Sequence, residues 1–145
     1  MSLHYIIDGY NIINHPLFTR LPKSPLNPRA ALPLLIRKKR LTGSLKNKVT
    51  VVFDGYPDAN RVVLDEPDIT VIFSRKVSAD EKINLLIEET ANRKVIVVVS
   101  DDREIQYSAK SLGAQVLGVD EFFAAAQNRP VNTQKSEPAK TELNY

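Results

Sequence analysis

Apolar positions along this chain gather into short unbroken runs, and three of those runs stop abruptly on aspartate. Leu3 to Asn14 reads LHYIIDGYNIIN, Lys48 to Gly55 reads KVTVVFDG, and Lys94 to Asp102 reads KVIVVVSDD. Runs of this length without polar alternation predict strands buried on both faces, as in a parallel sheet covered by helices. The first ends at Asp8, where Gly9 permits a sharp exit. The second ends at Asp54 and the third at Asp101 and Asp102. Residues 69–74 (ITVIFS) predict a shorter strand at a sheet edge, and 114–119 a last short one.

Between these runs the period shifts to 3.6. Ser78 and Glu81 have the spacing of a capping box, and the helix they open carries Ile83, Leu86, Ile87 and Ala91 on one face. Ile105, Ala109 and Leu112 mark a second helix, stopped by Gly113, and residues 120–127 a last one. Ala31, Leu34, Leu35 and Leu41 share a face of an earlier helix. Pro33 suits a first turn, which sets the start of that helix near Leu32 and its end near Gly43. Residues 15–28 hold Pro16, Pro22, Pro25 and Pro28, too dense for a helix interior, and predict a long loop. Strands alternating with helices predict an α/β fold with a parallel, doubly wound sheet and right-handed crossovers. From residue 128 the composition cannot form a core, so residues 1–127 are expected to be one domain and 128–145 a disordered tail.

Composition narrows the chemistry. No run approaches the roughly 18 apolar residues that suggest a membrane span, and no charged segment with an apolar stretch behind it opens the chain, which predicts a soluble, cytoplasmic protein. With no cysteine and only His4 and His15, thiol catalysis is excluded and a structural zinc site disfavoured, so a metal would be held mainly by oxygen. Neither a G-x-G-x-x-G after a strand nor a phosphate-binding G-x-x-x-x-G-K-[ST] is present, which disfavours dinucleotide and P-loop chemistry.

The net charge of +3 conceals an asymmetry. Residues 1–48 hold nine Lys/Arg against the single acid Asp8, while the other 97 residues are net negative by five. A basic surface beside an acidic cleft suggests a polyanion held by the first and acted on at the second. Arg20 and Lys23 lie in the proline-rich loop with Phe18, and Arg37, Lys38, Lys39 and Arg40 form one run. That run is either a phosphate-binding patch or a solvated helix face.

Open α/β sheets bind ligands beyond the carboxyl ends of their strands, so parallel neighbours would crowd the strand-end acids into one crevice, joined by Asp80 from a helix start. Crowded carboxylates are costly to keep ionised and imply a cation, and hard oxygen ligands point to Mg²⁺ or Mn²⁺. Asp8, Asp80 and Asp101 are the expected ligands and catalytic acids; Asp54 and Asp102 either join them or serve the structure around them. Asn11 bonds a ligating carboxylate or the substrate phosphate, or else caps a helix. Ser100 contacts phosphate or water, or caps the helix after it. Arg75 and Lys76, just before the capping box, either neutralise a scissile phosphate or are free surface charges.

The segments IIDGYNII (6–13), VVFDG (51–55), FSRKVSADEKIN (73–84) and VVVSDDREIQ (97–106) together resemble the YacP-like branch of the NYN domains, relatives of the PIN-domain nucleases. The resemblance spans most of residues 3–125. It implies a PIN-like three-layer sandwich with a central, mostly parallel sheet. It also implies metal-dependent endoribonuclease activity on RNA, whether mRNA, rRNA or tRNA, in some bacterial members in association with the ribosome. Carried over, Asp8, Asp80 and Asp101 match the family's acidic metal positions, Asn11 its NYN asparagine, and Asp54 the acid after the second strand. The proline-rich stretch 15–33 departs from the family pattern.

Two other classes fit parts of the sequence. A non-catalytic module of the same fold would hold RNA or a ribosomal surface through the basic residues and be indifferent to the acids. A receiver-like phosphate-transfer domain also clusters strand-end carboxylates, but it requires a paired acid beside Asp8 and a lysine ending the last strand, and the chain has neither.

Overall fold

Tyr5 and Ile7 face one side of the central strand and Ile6 the other, and all three are buried. This strand, β1 (His4–Asp8), is flanked by β2 (Lys48–Phe53) and β4 (Ile96–Val99), with β3 (Ile69–Phe73) and β5 (Gln115–Leu117) outside them. The order is β3-β2-β1-β4-β5 and every pairing is parallel. The computed structural model describes residues 2–58 and 68–127; the tail expected at 128–145 lies outside them.

Helices cover both faces, as unbroken β-branched strands require. On one side α1 (Gly9–Ile13), α3 (Pro28–Lys38) and α6 (Val119–Gln127) bring Ile12, Leu32, Ile36 and Phe122 onto Tyr5, Ile7, Val51 and Val99. On the other, α4 (Ala79–Glu88) and α5 (Arg103–Ser111) set Ile83, Ile87, Ile105 and Ala109 on Ile6, Val52 and Val98. Each fully buried aliphatic side chain contributes about 1.5–3 kcal/mol relative to exposure. The result is a three-layer α/β sandwich.

Several boundaries differ from the expected ones. The loop at 15–28 contains a short helix, α2 (Pro16–Thr19), capped by His15, whose Nδ1 accepts the Leu17 N–H. Helix α3 starts four residues before Leu32, because Asn27 caps it, accepting the Ala30 N–H at 2.9 Å, and Pro28 takes the first helical position. Pro33 is therefore interior. The same helix stops well before Gly43. Arg40 enters the left-handed region (φ 52°), and the Leu41 N–H turns back to the Ile36 carbonyl at 3.0 Å. Strand β4 starts at Ile96, after a 3₁₀ turn at Arg93–Val95. The capping box at Ser78 and Glu81 and the stop at Gly113 (φ 102°) are present as expected.

Candidate active site

The sheet order reverses between β1 and β4, whose ends carry Asp8 and the pair Asp101 and Asp102. At this switch point the polar groups are tied together. Ser100 is fully buried, and its hydroxyl donates to Asp8 Oδ2 at 2.9 Å while accepting the Asp102 N–H at 3.0 Å. Asn11 Oδ1 accepts the Asp101 N–H at 2.6 Å, joining α1 to the loop after β4. Ser100 thus fixes Asp8 and does not cap α5. That cap is Asp102, whose Oδ1 accepts the Glu104 and Ile105 N–H groups at 2.8 and 3.2 Å.

Asp54 performs a similar task beside β2. Its Oδ1 accepts the Ala79 N–H at 3.0 Å, at the start of α4, and the Ser74 hydroxyl at 3.5 Å. The second residue of α4 is Asp80. Two helix N-termini, those of α4 and α5, therefore deliver Asp80 and Asp102 toward Asp8.

The electrostatics record the crowding. Burial pushes the Asp8 carboxyl up to about 6, and the charges of Asp80 and Asp102 push the same way, against the Ser100 hydroxyl and the Asn11 backbone N–H. Asp80 is also raised, first by burial and then by Asp102, Glu104 and Asp54. Glu104 belongs to this acidic group although sequence reasoning passed over it; its signal was its place in the first turn of α5, directly after SDDR.

Asp101, expected with Asp8 and Asp80, is oriented differently. Its Oδ1 accepts the Val119 N–H at 2.8 Å, at the start of α6, and its Oδ2 lies 3.7 Å from His15 Nε2, which is also 3.3 Å from Asp120. The acid after β4 that acts on both Asp8 and Asp80 is its neighbour, Asp102.

The basic run is also placed differently from expectation. Helix α3 runs against the strands, so its start, with Arg29 bonded to the Tyr10 hydroxyl and the Tyr56 carbonyl, lies near their carboxyl ends. Its end lies where β2 and β3 begin. Arg37 pairs there with Asp68 at 3.5 Å, and Arg37 and Arg40 line a small pocket with Asn47 and Ile69. Helix α3, 11 residues and about 16 Å long, carries this end of the run toward the starts of the strands. Lys23, Lys38 and Lys39 instead border a groove of about 680 Å³ between the proline-rich loop and α3, whose apolar lining includes Phe18, Leu26 and Leu34. Arg20 ends α2 beside it. Arg75 donates its N–H to the Gly55 carbonyl, next to Asp54, at 2.8 Å and sets its guanidinium 5.9 Å from the centre of the Tyr56 ring.

The donor set fits a hard divalent cation. Every acid that acts on Asp8 or Asp80 offers carboxylate oxygen, and a cation would offset the burial that chiefly raises their pKa values and the repulsion that adds to it. Among the described residues, no three acidic or histidine side chains are drawn close enough to enclose an ion by themselves.

A parallel α/β sandwich with a carboxylate cluster at its switch point defines a class of proteins, and the comparisons narrow it. The sequence profile described as the YacP-like NYN domain matches residues 5–144. The chain belongs to the YacP-like NYN domain family. Two crystal structures of Rae1 (YacP) from Bacillus subtilis, one of a mutant, superpose on it. The mutant has a TM-score of 0.62 at 26% identity, covering 88% of this chain and 76% of that one. The other has a TM-score of 0.63 at 25% identity, covering 88% and 74%. No curated protein matches the chain.

Proposed function

We propose that this chain is a divalent-metal-dependent endoribonuclease that hydrolyses RNA phosphodiester bonds, with one domain over residues 1–127 carrying the site. The observation that supports it best is Asp8: a buried carboxylate at the switch point, crowded by Asp80 and Asp102 and pushed up to about 6. A fold with no use for a cation there would gain stability by losing that charge. Family membership supports RNA as the substrate class and a divalent ion as the cofactor, Mg²⁺ or Mn²⁺.

Asp8 would hold the ion, with Asp80 and Asp102 reaching it through bound water where their carboxylates fall short, and Asp54 holding Asp80 in place through the start of α4. Bound there, a divalent cation supplies Lewis acidity, lowering the pKa of the attacking water and offsetting charge on the phosphate oxygens. The chain supplies the rest. Ser100 locks the Asp8 carboxylate, and Asn11 holds the loop that carries Asp101 and Asp102. The starts of α4 and α5, whose N–H groups are taken by Asp54, Ser78 and Asp102, position Asp80 and Asp102. Lys23, Lys38 and Lys39, along the groove beside the proline-rich loop, would guide the rest of the strand. Cytoplasmic RNA, free or on the ribosome, is the substrate pool this reading assigns.

A non-catalytic RNA-binding module is the second reading, favoured by the placement of Arg37 and Arg40 beside Asp68 and Ile69, at the starts of the strands. Incubation of a labelled single-stranded RNA with Mn²⁺ separates the two. Cleavage by the wild type, abolished by EDTA and by Asp8→Asn, supports the nuclease. Binding without cleavage, unchanged by Asp8→Asn, supports the module.

A further inference from the structure

Beyond Asp54 the chain turns through Gly55 to Tyr56, whose side chain is among the few large hydrophobic ones left exposed, at 55%. This turn is built onto the turn after β3. The Gly55 N–H donates to Ser74 Oγ at 2.9 Å, the Ser74 hydroxyl reaches Asp54, and the Arg75 N–H donates to the Gly55 carbonyl at 2.8 Å. The Arg29 guanidinium donates to the Tyr56 carbonyl at 3.1 Å and pairs with Asp58, fixing the same turn from the α3 side. Arg75 holds a left-handed backbone (φ 62°), which is rare for a residue with a long side chain. Its guanidinium lies over the Tyr56 ring, 5.9 Å from the centroid. Strain of this kind persists only where the surroundings over-determine it, and it gathers at functional sites.

We propose that Tyr56, backed by Arg75, is a stacking platform for an unpaired nucleobase of the RNA strand whose phosphate lies at the acidic cleft. This rests on the nuclease reading above and sharpens it to single-stranded substrate. A ring that is more than half exposed and held two residues from Asp54 offers a π-face to any base, and Arg75 adds a cation beside it for the adjacent phosphate. Tight packing explains the neighbouring aromatic rings but not this one. Tyr10 and Phe73 are packed on Phe53, at 5.2 and 5.7 Å between ring centres, whereas Tyr56 has only the Arg75 guanidinium as a ring partner among the described residues. A base in a duplex is stacked on its neighbours and cannot use the platform, so the preference for unpaired RNA follows.

The test is steady-state cleavage of a labelled single-stranded RNA with Mn²⁺ by the full chain and by Tyr56→Phe and Tyr56→Ala. Melting temperatures confirm that the exposed substitutions leave the fold intact. The expected result is a KM about tenfold higher for Tyr56→Ala, in the range that loss of one stacked base produces, with kcat within about twofold and Tyr56→Phe close to wild type. An unchanged KM in Tyr56→Ala, or Tyr56→Phe as impaired as Tyr56→Ala, overturns the proposal. If the wild type cuts no RNA, the nuclease reading fails by itself. The platform is then decided by titrating a fluorescent oligouridylate into wild type and Tyr56→Ala, where an equal Kd overturns it and a loss of about tenfold in the variant supports it.

Discussion

Asp8 is where the physical cost of this site concentrates, and its sign can be worked out. An acid whose pKa rises from 3.8 unfolded to about 6 folded leaves the folded state holding more protons between those values. Stability therefore falls as pH climbs through that window and stays at the lower level above it. At about 1.4 kcal/mol per unit, the cost at neutral pH is of order 2–3 kcal/mol. Metal-free Asp8→Asn should accordingly be more stable than wild type by about 1–3 kcal/mol at pH 7.5 and show no such gain at pH 4, as read by urea denaturation at both values. Gly9 is a second residue with a definite cost. A Cβ there would lie 2.4 Å from the Phe53 ring, so Gly9→Ala should destabilise by about 1–3 kcal/mol through overpacking, despite the better helix propensity of alanine. A lower urea midpoint checks it. Asp8 was legible in the sequence because a buried strand ends on it. The choice between Asp101 and Asp102 was not: both follow β4 directly, and only the packed starts of α5 and α6 decide which carboxylate turns toward Asp8.

The helices show the same division between local and tertiary information. Gly113 and Arg40 end their helices in the same way, each in the left-handed region with the next N–H reaching back five residues, Ala114 to Ala109 and Leu41 to Ile36. Gly113 announces the motif because glycine prefers that conformation; Arg40 does not, and the buried Leu41 that anchors its turn reads equally well as one more helical position. Gly113→Ala should therefore cost about 1–2 kcal/mol through the strained φ, measured by thermal or urea unfolding. Helix α5 offers a sharper test of role. Asp102 both caps it and faces the acids, and asparagine caps as well as aspartate. Asp102→Asn should leave stability within a few tenths of a kcal/mol yet reduce metal-dependent cleavage at least tenfold, while Asp101→Asn reduces it less. The reverse ranking would return Asp101 to the site.

Across the whole molecule, the parallel sheet and its helical layers followed from strands and helices alternating along the chain, and the carboxyl ends of the strands read as the crevice; the strand order that puts the switch point between β1 and β4 did not. Nor did the direction of α3. Charge counting placed Arg37 to Arg40 beside the carboxylates, whereas a helix antiparallel to the strands carries the run toward the opposite end of the sheet, leaving Lys38 and Lys39 on the groove. If RNA follows that groove, replacing both lysines by alanine should weaken binding and reduce the salt dependence of log Kd by about two units of slope, seen by titration at several salt concentrations. All of this depends on a divalent ion at Asp8. Titrating Mn²⁺ into the chain of residues 1–145 by calorimetry tests that most directly. The account predicts saturable binding by wild type and by Asp101→Asn, and its loss in Asp8→Asn. Wild type that binds no Mn²⁺, or Asp8→Asn that binds it as tightly, would contradict it.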